Sequence, residues 1–244
     1  MVLSLSCALF VLAIDGPAGA GKSVVASRLA RRLGWPLVDT GAIYRAVTLA
    51  ALRAGLDLTD QSQVSELARR LAVVIERATK PQFEYSVRCD GLDVTADLFS
   101  EAIDRHVSIV SAHPMVREAL LPLQRGAVVR DSVVVGRDIG TVVFPSAALK
   151  VYLRASPSVR AERRRLQMLE RGVDMPIGEV LAEVLRRDAI DGGRSVAPMR
   201  PAEDAVVVDT DDLTIDDVVR RIETLVAGRL AAHRSDCRSS AATG

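Results

Sequence analysis

Lysine is nearly missing from this chain: Lys22, Lys80 and Lys150 are the only three among 244 residues, although Lys and Arg together number 32. Positive charge is therefore almost all guanidinium, and a lysine inside a motif stands out. Cysteine is just as sparse. Cys7, Cys89 and Cys237 are odd in number and far apart, which excludes a disulfide framework and C-x-x-C metal spacing and fits a reducing cytoplasm. His106, His113 and His233 share no ligand spacing, so no histidine metal site is expected. Net charge is only +1, so no global field draws the chain to nucleic acid or an anionic membrane, and any anion must be held locally. No apolar stretch is long enough to cross a bilayer unbroken. The opening run, residues 1–14, lacks the basic flank of a signal peptide and leads straight into a glycine-rich turn, so it reads as a buried strand. The expectation is a soluble cytoplasmic protein that binds neither nucleic acid nor membrane.

With 49% hydrophobic and 26% charged residues, the chain can bury enough apolar surface to fold, and its length suits one α/β domain with an insert. Residues 10–15 (FVLAID) read as a strand buried on both faces, 16–21 as a loop, and 22–33 as a helix with Val25, Leu29, Ala30 and Leu33 at helical spacing. Further short apolar runs at 36–39, 132–135, 150–153 and 205–209 are separated by helical patterns. This predicts a doubly wound, five-stranded parallel sheet. Between residues 71 and 102 the pattern changes to short alternating strands at 72–76, 84–89 and 92–95, with Asp90-Gly91 as a hairpin signal. Helices near 99–111 and 114–129 follow, the second begun by Pro114. The predicted organisation is a core of 10–61 and 131–228, an inserted α+β subdomain at 62–130, and a flexible tail at 229–244, where composition turns small and polar.

Gly16-Pro17-Ala18-Gly19-Ala20-Gly21-Lys22-Ser23 matches G-x-x-x-x-G-K-[ST] between a buried strand and an amphipathic helix. Glycines let backbone N–H groups turn inward around phosphate oxygens, and the helix N-terminus adds partial positive charge. Lys22 can reach the β and γ phosphates, and the Ser23 hydroxyl can ligate Mg²⁺. Such a loop serves GTPases, ATPases and small-molecule kinases alike. The best candidate for a guanine-reading N/T-K-x-D segment, Thr79-Lys80-Pro81-Gln82, lacks the aspartate, and no S-G-G-Q-like segment exists, so a small-molecule kinase is favoured. On the acceptor side, Asp39-Thr40-Gly41-Ala42-Ile43-Tyr44-Arg45 predicts a helix capped by Asp39 or Thr40 that aims Arg45 towards the phosphate loop. A planar guanidinium there suits an acceptor phosphate.

The series IDGPAGAGKS, DTGAIYR, VVGRDIGTVVFP and RRDAIDGGR, then VAPMRPAEDAVVVDT, resembles bacterial cytidylate kinase over most of residues 10–228. The resemblance implies a P-loop nucleoside monophosphate kinase fold with a monophosphate-binding insert and a helical lid. It also implies Mg²⁺-assisted transfer of the γ-phosphoryl group of ATP to CMP or dCMP, by a monomeric enzyme of pyrimidine metabolism. By the same resemblance, residues 16–23 (Gly16, Pro17, Ala18, Gly19, Ala20, Gly21, Lys22 and Ser23) with Val24 bind ATP. Arg45 becomes a CMP-phosphate ligand, with Thr40 near the sugar and Tyr44 beside them. Ser108 and Arg117 face the cytosine, Arg137 is a phosphate ligand, Asp138 a base ligand, and Arg187, Asp191 and Arg194 surround the sugar and phosphates. Lys22, Arg45, Arg137 and Arg194 form the implied catalytic set.

Cytosine offers an N4 donor beside N3 and O2 acceptors, so Asp138 can accept from N4 while Arg117 donates, and uracil then fits poorly. Arg187 and Asp191 stand one turn apart on a helix begun near Ile177, which Gly192-Gly193 can end before Arg194. Arg160, Arg163, Arg164 and Arg165, before the Glu170-Arg171-Gly172 turn, resemble the lid, about 156–175. Neither a covalent phosphoenzyme nor an obligatory general base is expected, and Asp39 can help organise Mg²⁺ through water. Two positions depart from the family pattern. Val24 replaces a hydroxyl residue, and Leu98-Phe99 stands where Ile-Arg is frequent, so Phe99 is left out of the site. The rival readings are a UMP or shikimate-type kinase and a non-catalytic nucleotide-binding module.

Overall fold

The computed structural model describes residues 9–242 apart from 79, 81–82 and 171, so Cys7, most of the guanine-reading candidate and Arg171 lie outside the described residues. A five-stranded parallel sheet runs in the order β2-β6-β1-β7-β8, built from β1 (Val11–Asp15), β2 (Leu37–Asp39), β6 (Ser132–Val135), β7 (Leu149–Arg154) and β8 (Val206–Asp209). β1 is central because all five of its residues are apolar or paired and every one is buried. On one face, Phe10, Leu12 and Ile14 pack with Val25 and Leu29 of α1 (Lys22–Leu33) and Val219 and Ile222 of α8 (Ile215–Ala242). Val11, Ala13, Val38 and Val134 form the other face, under Ile139 and Val143 of a π-helical turn, Ile139–Val143. Each fully buried large side chain here contributes roughly 1.5–3 kcal/mol.

A second apolar cluster begins on α2 (Thr40–Arg53) and runs through α3 (Gln61–Arg70), β3 (Val73–Arg77), β4 (Tyr85–Cys89), α4 (Glu101–Ala112) and α5 (Pro114–Gly126). β3, β4 and the short β5 (Leu92–Asp93) form an antiparallel sheet, turned at Asp90-Gly91, where both residues have positive φ. α6 (Pro157–Leu169) and α7 (Ile177–Gly192) lie against each other through Ala161, Val180 and Val184.

The chain past Arg229 differs from the expected flexible tail: α8 continues to Ala242. Leu230 packs on the sheet cluster, and the His233 ring meets Phe10 edge-on at 5.4 Å, so the first turn past Arg229 is held against the core.

Candidate active site

The carboxyl ends of β1, β2 and β6 converge on one cleft, where open α/β sheets hold ligands. Gly16 leaves β1 at φ +144°, and a Cβ there would sit 2.1 Å from the Leu153 carbonyl oxygen, so only glycine lets the loop turn beside β7. Gly19 (φ +80°) and Gly21 (φ +85°) complete the turn, and Gly21 caps α1 without a side chain. The Lys22 ammonium is buried and donates to the Pro17 carbonyl at 2.8 Å. Burial holds its pKa well below the usual lysine value and the charge of Arg137 adds to this, with Asp39 and Asp15 opposing. Charge crowding of this kind is relieved by an anion.

Ser23 Oγ donates to Asp39 Oδ2 at 2.9 Å, and Tyr85 Oη, from the antiparallel sheet, donates to the same oxygen at 3.1 Å. Asp39 Oδ1 accepts from Gly41 N at 2.9 Å, so Asp39 is the cap of α2. A hydroxyl and a carboxylate are hard oxygen donors of the kind Mg²⁺ takes when phosphates and waters complete its shell. Among the described residues no group of three or more His, Cys, Asp and Glu could hold a metal alone.

Asp15 fastens the turn after β6. Its two oxygens accept from Ile139 N at 2.8 Å and Gly140 N at 2.7 Å, which sets the preceding Arg137 and Asp138 at the mouth of the cleft. Gly136 lets the turn pack closely there: a Cβ would lie 2.5 Å from Thr40 Oγ1, which donates to the Val135 carbonyl at 3.0 Å, and 2.6 Å from the end of the Ile139 side chain.

Arg117 of α5 donates to Asp138 Oδ2 at 2.5 Å and to the Ser111 carbonyl at 2.9 Å, with its guanidinium 5.3 Å from the Tyr44 ring centroid. Both partners of this ion pair are only 6% exposed. Ser108, on the same buried face of α4, lies within the fold as well. Asp191 accepts from Arg137 Nε at 3.2 Å and from Arg194, whose guanidinium also donates to Ser111 Oγ at 2.9 Å. α7 ends at Gly192, so Arg194 reaches Asp191 from beyond the helix. Arg187 is different. Its Nε is buried without a hydrogen-bond partner, and burial lowers its pKa to about 10, helped by the charges of Arg137 and Arg45 and offset by Asp191 and Asp104.

Arg45, expected to aim towards the phosphate loop, is held by Asp104 (2.6 Å) and the Leu98 carbonyl (2.8 Å), a buried carboxylate within its reach. The excluded Phe99 sits beside it, its ring centroid 5.7 Å from the Arg45 guanidinium. The basic cluster on α6 is already paired: Arg160 with Asp188 (2.5 and 2.9 Å) and the Ala18 carbonyl, Arg163 with Thr210, Arg164 with Asp104, and Arg165 with Asp174. Val24 is half-buried on α1. Sequence reasoning missed Asp104, Tyr85, Ser111 and Asp15. Asp104 had a signal, since Asp104, Ser108 and Ser111 follow helical spacing on one face.

The sequence profile described as cytidylate kinase matches residues 12–227. The chain is 47% identical over 223 residues to the cytidylate kinase of Nocardia farcinica, covering 91% of this chain and 95% of that protein. It is 46% identical to that of Rhodococcus jostii (93% and 99% covered) and 42% identical to that of Geobacillus kaustophilus (90% and 97%).

Proposed function

The chain belongs to the cytidylate kinase family, and from that premise we propose how its residues divide the labour of the reaction. The enzyme phosphorylates CMP and dCMP to CDP and dCDP with ATP as donor. Its fold is that of a P-loop nucleoside monophosphate kinase, in which residues 62–130 take the acceptor and α6 with its flanks, about 156–175, forms the lid. The amides of residues 16–23, with Val24 beside them, cradle the ATP phosphates, and Lys22 exchanges the Pro17 carbonyl for phosphate oxygens. Ser23, with Asp39 acting through water, would hold Mg²⁺, which when bound offsets charge on the transferring group.

Arg45, Arg137, Arg187 and Arg194 receive the acceptor phosphate, and Thr40, Tyr44 and Asp191 line its sugar. Asp138 accepts from cytosine N4 while Arg117 and Ser108 serve the remaining base edge. No residue needs to remove a proton, because the CMP phosphate oxygen is already a nucleophile; positioning and charge neutralisation carry the rate. All these groups come from one chain, so the proposed enzyme is complete as a monomer, acts in the cytoplasm, and requires neither nucleic acid nor membrane. No helix among the described residues is long and apolar enough to span a bilayer.

The observation that supports this reading is Arg187, whose buried Nε has no hydrogen-bond partner and which lies in the field of Arg137 and Arg45 as well as of Asp191 and Asp104, a donor left open for an anion. A direct test is Arg137→Ala. Loss of one charge-stabilising donor is expected to lower kcat by about 100-fold or more while the Kd for ATP stays within about twofold. Unchanged CMP kinetics removes Arg137 from the mechanism, and UMP turnover equal to that of CMP removes the base assignment.

A further inference from the structure

Asp104 of α4 joins three parts of the molecule. Its side chain is 9% exposed, and its two oxygens serve different helices. Oδ1 accepts from Nη2 of Arg45 on α2 at 2.6 Å, and Oδ2 accepts from Nη2 of Arg164 on α6. The other arm of Arg45 is held too, donating to the Leu98 carbonyl at 2.8 Å beside the Phe99 ring. Burial alone would push the Asp104 carboxyl up, but Arg45 and Arg164 bring it below the usual carboxylate value, so it stays an anion.

An arginine on a free stem loses rotamer freedom when it grips a phosphate, and that loss is subtracted from binding. Arg45 has already lost it. The remaining N–H groups of its guanidinium are presented in a plane fixed by Asp104, Leu98 and Phe99. We propose that Asp104 is a positioning residue for the acceptor phosphate: it fixes the Arg45 fork for CMP and ties that fork, through Arg164, to helix α6. This rests on the assignment of Arg45 to the acceptor phosphate.

Asp104→Asn separates orientation from packing. It keeps the shape but removes the charge and one of the two acceptor atoms, so an NH₂ must face the guanidinium of Arg45 or Arg164. Steady-state kinetics should show KM for CMP raised about tenfold with KM for ATP within about twofold. In an Arg45→Ala background the same substitution should add less than about twofold, since the side chain it orients is gone. Arg164→Ala should raise KM for CMP about threefold. The proposal is overturned if Asp104→Asn leaves KM for CMP unchanged, raises both KM values alike, or multiplies fully with Arg45→Ala. Should Asp104→Asn not fold, Arg164→Ala decides, with unchanged KM for CMP as the overturning result. An Arg45→Ala enzyme with normal KM for CMP instead overturns the acceptor assignment, and the proposal with it.

Discussion

Asp15 does structural work with an acid whose charge the fold disfavours. Burial pushes its pKa up to about 6 from an ordinary 3.8, against the pull of the Gly140 and Ile139 N–H groups, with Asp138 adding to the rise and Lys22 opposing it. Between these two values the folded protein binds more protons at this site than the unfolded chain, so the Asp15 contribution to stability falls as pH rises through the window. It is most favourable below the unfolded pKa and least favourable above the folded one. Asp104 and Asp191 are shifted the opposite way, and their contributions fade as pH falls. Comparison with Asp15→Asn cancels them. The unfolding free energy of the native protein minus that of Asp15→Asn should rise by about 2 kcal/mol from pH 7 to pH 4, measured by urea denaturation at each pH. A pH-independent difference refutes the assigned shift.

At the scale of elements, the glycine loop shows why some of the structure is legible in sequence. Gly16 must take φ +144° with no room for a Cβ against β7. Gly16→Ala should therefore cost about 2–3 kcal/mol, seen in calorimetry as a fall in Tm of roughly 5–10 °C. Gly178→Ala, on α7 with nothing within 4 Å of its would-be Cβ, should instead hold Tm or raise it slightly. An equal loss in both variants would mean that the tight turn is not the cause. The β1-loop-α1 unit, the five sheet strands and the end of α7 at Gly192 were readable because each follows from local periodicity or local backbone demand. The persistence of α8 was not, because it depends on Phe10, far away in sequence, meeting His233. The Arg45–Asp104 pairing was hidden for the same reason, since a guanidinium goes to whichever carboxylate the tertiary fold delivers.

Across the whole molecule, polar links join the elements around the cleft. Tyr85 reaches Asp39, Arg117 reaches Asp138, Arg194 reaches Ser111, and Arg164 reaches Asp104. The sequence named most of these residues but not their pairings, because pairing depends on how the antiparallel unit sits against the parallel sheet. A ligand that engages both sides should stabilise the entire fold, and one that mismatches the Arg117–Asp138 pair should not. At 100 times its Kd, CMP should add about 2.7 kcal/mol, a rise in Tm of roughly 5–10 °C. Uracil presents an acceptor where cytosine N4 donates, and a penalty of about 2.8 kcal/mol weakens binding about 100-fold, leaving UMP at the same concentration a rise of roughly 1 °C. Asp138→Ala should collapse the gap between the two nucleotides by weakening CMP. Equal shifts with CMP and UMP in the native protein would mean that the buried Arg117–Asp138 pair serves the packing of α5 against the turn after β6 and does not read the base.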